Sequence, residues 1–242
     1  MREGHERRMN GGHEMRWGGL AGIGSVIFAI AGRLVLGGAP RNTDTMGVIA
    51  TFMNDNRGRI LLAALLYAIS IALLLWFGAA LATAFRRADD TSDAPAVVLA
   101  GFTAVSAIGL VAVSMFGAMT YALTVHAGLL ILAVVPYSTV TVMSTIAGLV
   151  MAVPLAASAM AIARTRVFPM WMAYFAGIVA LLSAVAAFTV WATRGAWAPG
   201  GFIASYIPAI LLALWVLAAS AMLVREHLPV MRTAQRPHVM GA

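Results

Sequence analysis

The chain contains no cysteine and no lysine. Without cysteine there is no disulfide framework, no thiol nucleophile and no thiolate ligand for a metal or an iron–sulfur cluster. Without lysine there is no amine for a retinal-type or pyridoxal-type Schiff base. Charge is also scarce. Only 10% of the 242 residues are charged, whereas a soluble domain carries about 25%. Acids are rarest of all, nine in total, and none falls in a long apolar run. Proton relays, coupled transporters and intramembrane aspartyl proteases use a carboxylate at membrane depth, so none of these classes fits. His5-Glu6 and His13-Glu14 lack the second histidine of a zinc-protease helix, and no nucleotide-binding or nucleophile-elbow motif is present. No metal site is expected.

What the chain has instead is apolar surface. It is 62% hydrophobic, with a mean hydropathy of +0.90. Six apolar runs stand out, at 17–38, 59–85, 96–124, 138–163, 168–192 and 202–224. Each reaches the roughly 20 residues an α-helix needs to cross a bilayer core. The runs are continuous, unlike the alternating segments of a membrane barrel. The fold class is therefore all-α, a polytopic transmembrane helical bundle of six spans. Residues 1–16 form a polar tail, 17–224 the six-span domain and 225–242 a second tail.

The sixteen basic residues are all arginine and set an orientation. Eleven lie in the two tails and in the 86–95 and 164–167 loops, and five lie at the opposite end of the spans. The positive-inside rule then places both termini in the cytoplasm. The net charge of +7 follows from loops facing anionic lipid, so no nucleic-acid partner is expected.

Most connections are short, so consecutive spans are expected to be antiparallel neighbours. The connection at 39–58 is longer. Thr43, Asp44 and Thr45 offer N-cap oxygens, and Val48, Ile49, Phe52 and Met53 share a face at helical spacing. A short amphipathic helix near 44–54 is expected, ended by Asn54, Asp55, Asn56 and Gly58. The apolar stretch 125–136 either extends the third span or re-enters the outer leaflet. Gly18 with Gly22, and Ser144 with Gly148 and Ala152, have the spacing of close helix packing. Pro154 and Pro208 lie inside spans and are candidate kinks. Trp17, Trp171, Trp191 and Trp197 mark the interfaces.

Two ionisable groups sit at membrane depth. Arg33 lies near the outer end of the first span, where it either snorkels to the interface or contacts an anion, a headgroup, Asp44 or Asp55. His126 follows the third span, either as a packing residue or as a proton switch or ligand. Shared sidedness gathers Arg33, Arg41, Asp44, Asp55, His126, Tyr137 and Arg194, with Trp197, into a candidate outer pocket. Tyr67, Tyr121 and Trp76 lie deeper, with polar tips that need partners.

The segments Asn56-Arg57-Gly58-Arg59 into 61–68, 75–81, RTRVFPMWMAYFAG (164–177), WAPGG (197–201) and 214–226 cover most of the chain in order. Through them the chain resembles an uncharacterised bacterial family of six-helix integral membrane proteins, a domain of unknown function. The most distinctive segment is the turn running from Arg164 through Phe168-Pro169 to Trp171. The resemblance implies six helices and a bacterial plasma-membrane location, and it carries no functional residue. At 125–136 the chain departs from that pattern, in which the connection is more polar.

Three functions remain open: an accessory or structural membrane subunit that binds another membrane protein or its own copy; a permease or channel component for a neutral or amphipathic solute, such as an ABC-exporter-type permease subunit; and a membrane-embedded enzyme or cofactor-binding protein using His126 and the outer-side polar groups. The sequence leans away from an enzyme and identifies no cofactor.

Overall fold

A computed structural model describes residues 2–40, 44–125, 134–192 and 195–225. Among these residues there are seven α-helices and no strand: α1 (Arg2–Leu36), α2 (Met46–Asp55), α3 (Arg57–Ala88), α4 (Ala94–Val125), α5 (Val134–Thr165), α6 (Met170–Ala187) and α7 (Ile207–Val224). A 3-10 turn (Phe188–Trp191) extends α6, and a π-helical turn (Phe202–Tyr206) leads into α7. Six segments are long and apolar enough to cross a membrane: Met15–Leu36, Arg57–Ala88, Ala94–Ala122, Tyr137–Thr165, Met170–Trp191 and Phe202–Val224. They match the six apolar runs within a few residues.

The spans form a closed ring in the order α1, α3, α4, α5, α6, α7, with α7 packed back against α1. One end of the ring, the α2 end, carries α2, which rests on α3, α4 and α5. The other end carries the α3–α4 and α5–α6 turns.

Two apolar cores fill the ring. The larger joins Phe77, Phe85, Phe102, Leu155, Ile162, Met172 and Trp215, all essentially inaccessible, in the half away from α2. Phe77 meets both Phe102 and Trp215 edge-on, at 5.9 and 6.3 Å between centroids, the arrangement aromatic quadrupoles favour. The smaller core lies under α2 and joins Ile49, Met53, Ile60, Met119 and Tyr137.

With lipid on the outside, helices gain little from hiding apolar area, so close packing must hold them together. Small residues make that possible. Gly18 faces Ala80, and Gly22 faces Ser220 and Phe77. A Cβ on Gly78 would stand 2.5 Å from the Phe102 Cβ, and one on Gly148 would stand 2.7 Å from the Ser183 carbonyl oxygen. Ser70 donates a 2.8 Å hydrogen bond to the Ser25 carbonyl between α1 and α3.

The turn between α5 and α6 is built by its own sequence. Arg166 adopts a left-handed conformation (φ 54°), and its N–H closes α5 on the Ile162 carbonyl at 2.9 Å. Pro169 then caps α6, which suits a residue without an N–H. Phe168 anchors the turn by packing edge-on against Phe85 at 6.0 Å.

Some details differ from the sequence expectation. The buried face of α2 is Ile49, Ala50 and Met53, and Val48 is 50% exposed. Only ten residues are helical, so the face that meets the bundle is narrow and Val48 falls beside it. Thr45 takes the N-cap position of α2 but its side chain makes no capping hydrogen bond. Pro208 occupies the first turn of α7, where a missing N–H costs little. The irregularity lies just before it, in the π-helical turn. Pro154 is within α5, where its ring fills the space that a Gly101 side chain would take, 2.6 Å away. α4 continues to Val125, and residues 126–133 lie outside the described residues.

Candidate functional site

The most polar arrangement within the spans is at the α2 end, around the last turn of α1. The sequence there is Gly32-Arg33-Leu34-Val35-Leu36-Gly37. Gly37 ends the helix with φ +69°, and its N–H bonds the Arg33 carbonyl at 3.1 Å. A residue without a side chain takes this conformation at no steric cost.

The Arg33 guanidinium reaches along the helix toward that terminus. It donates to the Gly37 carbonyl and, at 2.8 Å, to the Tyr206 hydroxyl. Its Cζ also lies 5.5 Å from the Tyr206 ring centre. Arg59, from the first turn of α3, approaches the same terminus. Its Nε donates to the Val35 carbonyl at 3.1 Å and its Nη1 to the Asn56 side-chain oxygen at 3.2 Å. A Cβ on Gly37 would stand 2.5 Å from Arg59 Nη2. Two guanidinium groups thus meet at the negative end of the α1 dipole.

Tyr206 is presented by the π-helical turn, whose extra residue shifts side chains out of regular helical register. Phe202 stacks on the Tyr206 ring at 5.6 Å. Tyr67 completes the cluster. Its ring lies 3.2 Å from where a Gly32 Cβ would be, and Arg33 and Tyr206 both act electrostatically on its hydroxyl. Tyr137, at the start of the fourth span, is buried and donates a 2.6 Å hydrogen bond to the Pro40 carbonyl. Asp44 and Tyr206 lie within its electrostatic range.

Of the residues grouped from the sequence, Arg33, Tyr137 and Asp44 come into this neighbourhood. Asp55 is exposed and accepts a hydrogen bond from Asn54 at 3.4 Å. Trp197 is 54% exposed at the same end. Arg41, His126 and Arg194 lie outside the described residues. The grouping omitted Tyr206 and Arg59. Tyr206 had a legible signal. It sits five residues into the last span, near the same end as Arg33, and a ring of short-looped helices makes the first and last spans neighbours. Tyr121 is also engaged, with Arg57 5.9 Å above its ring.

At the opposite end, Arg86, Arg87, Asp89, Asp90, Arg164 and Thr165 line an open cleft of about 600 Å³. Asp89 accepts a 2.7 Å hydrogen bond from the Thr91 hydroxyl, accepts another from the Thr91 N–H and pairs with Arg164 at 3.4 Å. The Thr91 hydroxyl, more than the Thr91 N–H or Arg164, holds the Asp89 carboxyl below its ordinary range, against a smaller opposing effect of burial.

Comparison with protein families, with curated proteins and with solved structures returned no match to this chain. Any functional argument therefore rests on the residues themselves.

Proposed function

We propose that this protein is an accessory subunit of a bacterial plasma membrane, with both termini in the cytoplasm. It acts by binding another membrane protein or a second copy of itself. The observation that supports this reading is the filled interior. From Phe77 to Met172 the ring is occupied by interlocking aromatic, aliphatic and small side chains. Such a bundle carries its distinctive chemistry at its ends. The α2 end offers arginine and tyrosine groups, and the other end offers the arginine-lined cleft.

A second reading, a permease or channel component for a neutral or amphipathic solute, is favoured by one observation. The Ser106 hydroxyl is buried in mid-span and has no hydrogen-bond partner among the described residues. A polar atom in that state marks a place for water or a polar solute group. The third possibility, an enzyme or cofactor protein, used His126 with the outer-side polar groups, and His126 is outside the described residues.

Native mass spectrometry with an absorption spectrum, on protein gently extracted from its own membrane, tests the proposal. The expected result is a stoichiometric protein partner or a defined homo-oligomer. A monomer that carries a small solute or a chromophore overturns it.

A further inference from the structure

Arg33 and Arg59 bring two positive charges to one glycine, and their hydrogen-bond partners among the described residues are uncharged. Their acceptors among the described residues are the Gly37 and Val35 carbonyls, the Tyr206 hydroxyl and the Asn56 amide oxygen. The C-terminal dipole of α1 supplies only about half a negative charge. Each guanidinium also has five N–H donors, and these hydrogen bonds use only part of that set. Arg33 is half-buried at membrane depth, where an unneutralised charge is costly.

We propose that Arg33 and Arg59 bind the phosphate of an anionic phospholipid headgroup at the α2 end. A phosphate accepts paired N–H donors from a guanidinium and matches its planar fork. Tyr206 adds a hydroxyl that already lies 2.8 Å from Arg33. The lipid, rather than a free anion, is indicated by what flanks the site. Leu34 is 74% exposed beside Arg33, and Phe202 is 63% exposed against Tyr206. These apolar faces suit an acyl chain descending from the headgroup, and a soluble anion has no use for them. The inference does not depend on the subunit reading, since the lipid site belongs to a single chain.

The test uses the full chain in detergent, with phosphatidylglycerol as the probe and native mass spectrometry as the readout of the tightest bound lipid. Arg33→Gln/Arg59→Gln is expected to weaken that binding about tenfold or more. Arg86→Gln/Arg87→Gln, which removes the same charge at the other end, is expected to leave it in place. Equal binding by the two double variants overturns the site. Arg59→Gln alone alters an exposed side chain and leaves the core untouched. It is expected to weaken binding several-fold, and unchanged binding also overturns the proposal. Inorganic phosphate separates the two sources. If millimolar phosphate displaces the lipid and by itself raises the melting temperature of the wild type but not of Arg33→Gln/Arg59→Gln, the site takes a soluble anion and the lipid assignment fails.

Discussion

The Tyr137 hydroxyl donates a 2.6 Å hydrogen bond to the carbonyl of Pro40, 97 residues earlier in the chain. This bond ties the segment leaving α1 to the start of the fourth span, beside the small core under α2. Tyr137→Phe keeps the ring and its contact with Phe116 and removes only the hydroxyl. The expected cost is about 1 kcal/mol. Hydrogen exchange should quicken at 37–39 while the interiors of α4 and α6 stay unchanged. Uniform exchange across the chain would show that the bond pins nothing.

Glycine contacts between helices predict a second set of outcomes. Gly101→Ala and Gly148→Ala each place a methyl group against Pro154 or the Ser183 carbonyl, at 2.6 and 2.7 Å. Neither neighbour is the far end of a flexible side chain. Each variant should lose about 1–3 kcal/mol from overpacking. Gly177, also within α6, has nothing within 4 Å of an added Cβ. Gly177→Ala should be neutral, or gain up to about 1 kcal/mol from helix propensity. Thermal unfolding in one detergent ranks the three, and equal midpoints would argue that these interfaces are loose.

Among the described residues, Asp89 carries the clearest pH dependence outside the membrane. Its folded-state pKa is depressed, chiefly by the Thr91 hydroxyl. The associated stabilisation is complete above the ordinary carboxylate value, about 3.9. It is lost as pH falls through the lower folded value. Thr91→Val removes the main cause, so the Asp89 titration followed by carboxyl NMR should move up toward the ordinary value. Arg164→Gln should move it up by less. A larger shift in Arg164→Gln than in Thr91→Val would make the ion pair, and not the hydroxyl, the main cause.

The proposed orientation is testable because the wild type has no cysteine to label. Thr45→Cys at the α2 end should react with a membrane-impermeant maleimide in intact cells. Asp90→Cys should react only after the membrane is opened. The opposite pattern would invert the topology.

The spans and their order were legible because lipid imposes one simple requirement, about 20 apolar residues for each crossing. The close packing at Gly18, Gly22 and Gly148 was legible for a related reason, since it needs small residues on one helical face, whereas Ser144 is exposed and bonds the Thr141 carbonyl of its own helix. The partners of Arg33 were less so. Acids such as Asp44 and Asp55 were natural expectations from charge alone, but Arg33 meets a carbonyl and a tyrosine hydroxyl instead. The deciding feature was the π-helical turn that presents Tyr206, and no hydropathy pattern announces such a turn. Arg59 was assigned to the correct end by topology. Its approach to Gly37 depends on the left-handed glycine that ends α1, a local geometry that span counting does not resolve.

The ring closes between its first and last spans. Gly19 of α1 lies against the Ser220 carbonyl of α7, which would stand only 2.8 Å from an added Cβ, and Gly22 lies against the Ser220 side chain. During synthesis, α1 enters the bilayer long before residue 202 leaves the ribosome. Until then its glycine-lined groove faces lipid or an assembly factor, and α3 is the earliest span able to cover one side of it. Truncation before α7 therefore removes more than one helix. It leaves α1 with an open seam along Gly19 and Gly22, where Ser220 would otherwise sit.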